Sequence, residues 1–266
     1  MRRVAWLTDI HMNFLRPVQL EKFYQMIRDA KPDVLLISGD IGEAPHLKYF
    51  LGQLESRLPY PIYFVLGNHD FYFGSIAEVR ADVTDFCRRM PRLSWLSNVD
   101  VVQLSPTVGL VGHDGWADGR LGDYERSMVA MNDFRLIAEL NGKNKSERWR
   151  IVQELGDEAA EHFRRDLPEA LTKFPRVMLL THVPPFAGAC WYEGRISNDE
   201  WMPHFTCHAA GQAILEVMRD FPNRQLTVLC GHTHGRGEFR PQDNIHVLTG
   251  GAEYGEPDIQ RVFELD

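Results

Sequence analysis

The run YPIYFVLGNHD, Tyr60–Asp70, decides how this chain is to be read. Its apolar half, Tyr60–Leu66, has the length and aromatic, β-branched content of a buried strand. It stops at a glycine, an amide, an imidazole and a carboxylate. Gly67–Asp70 is therefore either a polar turn or the floor of an active site, and Gly, Asn and Asp are all good turn residues. The flanking sequence decides between the two.

Upstream, Arg3–Leu7 reads as a strand. Pro17 then opens a helix whose Val18, Leu20, Phe23, Tyr24 and Ile27 recur at helical spacing. Val34–Ser38 is a continuous apolar run of strand length, and Leu47–Leu58 a second helix leading into Tyr60–Leu66. This β-α-β-α-β alternation implies a layered α/β fold with strands covered on both faces. Downstream, a helix is expected near Ser75–Arg88. Val101–Leu104 and Val108–Val111 read as a hairpin. From about residue 118 to 172 the sequence turns charged and is expected to be mostly helical, broken by a polar turn at Asn141–Ser146, as an insertion packed on a single domain spanning 1–266. β-like runs return at Arg176–Thr181, Leu226–Cys230 and Ile245–Thr249. Between the first two lies Val183–His208, a Pro-, Gly- and aromatic-rich segment too irregular for regular structure and too long for a passive connection.

Composition narrows the function. The 266 residues are 44% hydrophobic, enough for a sizeable core. Asp and Glu (37) exceed Lys and Arg (29), giving a net charge of −8. That balance disfavours nucleic acid as a partner, since such binding depends on neutralising phosphates with Lys and Arg. The first apolar run is interrupted at Thr8 and Asp9, too early for a signal-peptide core, and no stretch approaches the roughly 20 apolar residues that span a bilayer. A cytoplasmic setting is expected. Cys87, Cys190, Cys207 and Cys230 are scattered, so reduced thiols are expected instead of a zinc or redox pair.

The ends of the apolar runs resolve the question raised by GNHD. The first ends in Thr8-Asp9-Ile10-His11, the second in Ser38-Gly39-Asp40, the third in Gly67-Asn68-His69-Asp70. Later runs end in Thr181-His182 and Gly231-His232-Thr233-His234. In open α/β sheets the carboxyl ends of strands line the edge where ligands bind. Carboxylate, amide and imidazole donors without a thiolate suit Mn, Fe, Zn or Ni better than a cysteine-held structural zinc. Asp9, His11, Asp40, Asn68, His182, His232 and His234 are too many for one four-coordinate ion. They suit two divalent or trivalent transition-metal ions sharing a carboxylate, roughly 3.5–4 Å apart.

In order and approximate spacing, Asp9-x-His11, Gly39-Asp40, Gly67–Asp70, His182 and Gly231-His232-x-His234 resemble the five motif blocks of the calcineurin-like metallophosphoesterase superfamily. The resemblance implies a metallo-dependent phosphatase-like four-layer αββα sandwich, with two mixed β-sheets flanked by helices. It also implies that Asp9, His11, Asp40 and His234 hold one ion, while Asp40, as a bridge, with Asn68, His182 and His232 holds the other. His69 would be catalytic, with Asp70 either orienting its imidazole or closing an Asx turn. The activity implied is hydrolysis of a small-molecule phosphoester, mono- or diester, by in-line attack of a hydroxide bridging the two ions. A non-catalytic scaffold and a nuclease are the alternatives. Tyr72, His113 and Arg195 are candidate substrate contacts beside His69, with His113 equally suited to capping a turn and aromatic side chains of Val183–His208 as further walls.

Overall fold

A computed structural model describes residues 1–266. In chain order the elements are β1 (Arg2–Leu7), α1 (Pro17–Ala30), β2 (Val34–Ser38), α2 (Ala44–Arg57), β3 (Ile62–Val65), α3 (Ile76–Cys87), β4 (Leu93–Trp95), β5 (Val102–Ser105) and β6 (Val108–Gly112). There follow α4 (Asp133–Leu136), α5 (Lys145–Lys173), β7 (Arg176–Leu180), β8 (Trp191–Tyr192), β9 (Arg195–Ile196), α6 (Met202–Phe205), α7 (His208–Arg219), β10 (Gln225–Cys230), β11 (Gly237–Gln242), β12 (Ile245–Thr249) and β13 (Arg261–Leu265).

The strands form two mixed sheets, ordered β13-β1-β2-β3-β4 and β11-β12-β10-β7-β6-β5. In the first, β1 to β4 run parallel and β13 antiparallel; in the second, β12, β10, β7 and β6 run parallel between antiparallel edges. Alternation along each strand builds the layers. Val4 and Trp6 of β1, and Val34 and Leu36 of β2, face Met178 and Leu180 of β7 and Leu229 of β10 between the sheets. Their neighbours Ala5, Leu7, Leu35 and Ile37 face outward, onto Phe23, Tyr24 and Ile27 of α1 and Leu47, Leu51 and Leu54 of α2. On the other side Val177, Leu179, Leu226 and Val228 meet Phe163, Leu167 and Leu171 of α5 and Ile214 of α7. This is the four-layer αββα sandwich. Each fully buried side chain of this kind contributes about 1.5–3 kcal/mol of transfer free energy.

The expected helical stretch at 118–172 is helical only in its second half. Residues 118–132 form no helix, and α4 is a single turn. Gly119 and Gly122 adopt positive φ, which breaks a helical path. The helix starts where Asn144 caps it: Asn144 Oδ1 accepts from the Glu147 amide while the Glu147 carboxylate accepts from the Asn144 amide. The polar turn read at Asn141–Ser146 is present at 141–142 and passes directly into this helix start, and α5 then runs unbroken to Lys173 against the second sheet. Likewise Val183–His208, expected to lack regular structure, contains the β8–β9 hairpin and the short α6. No helix is long and apolar enough to cross a membrane.

Candidate metal centre

Because the central strands of each sheet are parallel, their carboxyl ends gather donors at one edge. Asp9 and His11 follow β1, Asp40 follows β2, Asn68 and His69 follow β3, His182 follows β7, and His232 and His234 follow β10. Asp9, His11, Asp40, His232 and His234 all take the left-handed backbone conformation, φ 38–71°. Non-glycine residues rarely do so, and such strain concentrates at functional sites. It turns each side chain back over the strand end.

Two groups of donors result. In one, His11 Nε2 and His234 Nε2 lie 3.1 Å apart, with Asp9 Oδ1 3.5 Å from His234 and Asp40 Oδ2 3.7 Å from His11. One ligand atom from each of these four lies within 4.8 Å of the others. In the second, Asn68 Oδ1 faces His182 Nε2 at 3.1 Å and His232 Nδ1 at 3.0 Å, and Asp40 Oδ1 is 3.5 Å from His182. Asp40 belongs to both. All seven sequence-derived donors therefore converge.

The lone pairs explain what fits there. His182 Nδ1 donates to the Ser38 carbonyl at 2.8 Å, and His232 Nε2 to the His204 carbonyl at 2.9 Å, so the opposite nitrogen of each ring points its lone pair inward. The Asn68 amide donates to Tyr72 Oη at 3.1 Å and to Asp133 Oδ1 at 2.9 Å, which turns its oxygen inward too. Acceptors facing acceptors need a proton or a cation between them. Asp9 and Asp40 are each 1% exposed, and no Lys or Arg lines the cavity. Glycine makes the close approach possible: a Cβ at Gly231 would fall on Asp9 and Thr8, and one at Gly67 on Asp40. A metal cation fits this donor set, and these are hard and borderline ligands.

The charges are interdependent. Burial alone would raise Asp9 and Asp40, but surrounding imidazoles hold both below the ordinary carboxylate range. Burial pushes His11 and His232 down to about 4. Burial also opposes charge on His182 and His234, yet Asp40 and Asp9 prevail at His182, and the Asp9 bond and charge at His234, raising both. In the metal-free protein these two imidazoles keep their protons to higher pH than free histidine does. A metal must displace those protons, so apparent affinity is expected to rise with pH above about 6.5. Titrating Mn²⁺ or Zn²⁺ into weakly buffered protein at pH 7 should release protons; a titration that releases none would contradict the charge pattern.

The remaining candidates divide. His69 sits on the cavity wall, stacked on Tyr72 with ring centroids 4.2 Å apart, and its Nε2 is 4.0 Å from Asp40 Oδ2. Tyr72 lines the same cavity and donates to Asp133 Oδ1 at 2.7 Å. Asp70 does not orient His69. It is fully buried, with Oδ1 accepting from the Ile41 and Gly42 amides at 2.9 and 2.8 Å and Oδ2 from the Gly67 amide at 2.9 Å. A short carboxylate one residue along reaches the backbone of its own turn and of the Asp40 loop, so Asp70 ties two ligand loops together. His113 takes its turn-capping alternative and not the substrate contact. It is buried beneath α5 beside His162 and Phe163, with Nδ1 accepting from the Gly115 amide at 3.1 Å, and does not line the cavity. Arg195, opposite Tyr192 in the hairpin, is exposed and does not line it either.

Two residues escaped the sequence reading. Asp133 holds Asn68 and Tyr72, but it opens the single-turn α4 after an irregular stretch, with no motif around it. Tyr254 covers the first donor group, its ring 4.6 Å from His11 and 5.0 Å from His234. Its signal was present: Ile245–Thr249 is another strand ending in glycines, Gly250 and Gly251, at the edge that collects ligands.

Two mixed sheets between helices, with an Asp/His cluster at the strand ends, define a metal-dependent phosphoesterase architecture. The chain belongs to the calcineurin-like phosphoesterase family, whose sequence model matches residues 2–236. This family is dinuclear metal-dependent. Among solved structures it is similar to a phosphopantetheinyl hydrolase from Mycobacterium tuberculosis, at 15% identity over 95% of this chain and 89% of that one, TM-score 0.61. A dimetal phosphatase from Danio rerio is similar at 16% identity over 94% and 87%, TM-score 0.55. At such identities these likenesses speak to the fold. A sequence search of curated proteins found no match.

Proposed function

We propose that the protein hydrolyses a small-molecule phosphoester, with Asp9, His11, Asp40 and His234 holding one metal ion and Asp40, Asn68, His182 and His232 the second. The observation that supports this reading is the inward convergence of ligand atoms from all seven residues around the shared Asp40 carboxylate. Bound ions would neutralise phosphate oxygens and lower the pKa of a shared water. The chain's own part is to position and protonate. Asp133 and Tyr72 keep the Asn68 oxygen turned inward, and Asp70 keeps the Asp40 and Asn68 loops in register. His69 Nε2, the nitrogen turned toward Asp40, is placed to pass a proton to the leaving oxygen. With no Lys or Arg in this cavity, the ester phosphate depends on the ions for charge compensation.

Metal-analysed protein should turn over p-nitrophenyl phosphate or bis-p-nitrophenyl phosphate in the presence of Mn²⁺, and lose that turnover on chelation. The relative rates assign mono- or diesterase. Protein that takes up no metal at all would overturn the reading and return the scaffold alternative.

A further inference from the structure

Beside the metal-site cavity, of about 260 Å³, lies a second of about 450 Å³, and Ala130, Met131 and Asn132 line both. His204 also lines the second cavity, and its carbonyl accepts the bond from His232 Nε2, so one residue separates that cavity from the metal centre. The two differ in charge. Arg135, Lys145 and Arg148 line the larger cavity, and no Asp or Glu does, in a chain of net charge −8.

These three cations are held by neutral groups. Lys145 Nζ donates to the carbonyls of Glu125 and Ser127 at 2.8 and 2.7 Å. Arg148 Nε donates to the Leu140 carbonyl at 3.3 Å, and its guanidinium lies 4.8 Å over the Phe134 ring. Arg135 reaches only Asn132 Oδ1, at 3.4 Å. Elsewhere Arg80, Arg120 and Arg261 are matched by carboxylates at 2.8–2.9 Å. Lys145 also opens α5, so the helix N-terminus adds partial positive charge on the same side. Met131, Phe134 and Tyr124 supply apolar walls. Three uncompensated cations around an apolar cavity, next to a cavity with none, ask for an anion at one end of an elongated ligand.

We propose that the larger cavity is an anion subsite, and that the substrate carries on the alcohol side of its phosphoester a second anionic group, phosphate or carboxylate, joined by an uncharged spacer. The position of the reacting phosphate rests on the phosphoester-hydrolase reading above.

α,ω-Alkanediol bisphosphates and ω-phosphoalkanoates of increasing chain length test this against simple alkyl monophosphates, on metal-loaded protein. The readout is the ratio of kcat/KM for the dianionic ester to that for the monophosphate, in wild type and in Arg135→Gln, Arg148→Gln and the double variant. Lys145 is left intact because it ties two carbonyls. At a preferred chain length the ratio should be roughly tenfold or more, as for loss of one or two charge-assisted contacts, and should fall toward one in the double variant and with added salt. The two series decide between phosphate and carboxylate. A ratio near one at every length, with the monophosphate turned over, overturns the subsite and leaves the hydrolase reading standing. If no ester is turned over, calorimetric binding decides. Tighter binding of the bisphosphate that the double variant loses supports the subsite and counts against the hydrolase reading, whereas equal binding throughout overturns the subsite.

Discussion

Asp40→Asn is expected to empty both metal positions together and to lower turnover by more than about 10³-fold, beyond the 10–100-fold typical of an outer partner. The reason is its double contact: Oδ2 faces His11, Oδ1 faces His182, and Oδ1 also accepts from the His69 amide at 2.9 Å. No other donor serves both groups. Asparagine preserves shape but removes the charge, so the sandwich should still fold. Metal analysis of the purified variant, beside its circular dichroism spectrum, checks this. A folded variant that retains near two ions per chain would remove Asp40 from the shared position.

His69→Asn should behave differently. His69 Nε2 stops 4.0 Å from Asp40 Oδ2, its ring meets His11 only edge-on at 4.6 Å between centroids, and it rests on Tyr72. Metal content should therefore stay at the wild-type level while kcat falls by roughly 10²–10⁴-fold, the range for a lost general acid. Leaving groups separate that role from mere crowding. p-Nitrophenolate departs without much help, whereas an alkoxide needs a proton, so the loss should be greater for alkyl esters. An equal loss for both would argue that His69 positions phosphate instead.

The legible part of this site was the part encoded at strand ends. A buried strand must stop somewhere, and a parallel sheet sends the stops to one edge, so short polar blocks such as Thr8-Asp9-Ile10-His11 and Gly231-His232-Thr233-His234 announce both fold and site. What lies one contact further out was not legible. Asp133 acts through Asn68, and its position depends on a stretch with no periodicity. Asp70 looked like a partner for His69 because they are adjacent in sequence, but adjacent residues in a tight turn diverge. His113 and Arg195 show the same limit, since the ends of nearby elements do not reveal which way a side chain leaves them. The stretch read as a polar turn also holds a capping signal, Asn144-x-x-Glu147, which sets where α5 starts.

The outer edge of β1 is closed by β13, and Tyr254, which lies over His11 and His234, sits in the loop just before it. During synthesis the first strand therefore emerges long before its partner, and its bare hydrogen-bonding edge stays open to the wrong neighbour until residues 261–265 have left the ribosome. The lid tyrosine arrives in the same late step. Completion of the sheet and enclosure of the metal centre are then one event in time, so a nascent chain halted before this segment would carry the ligands without their cover.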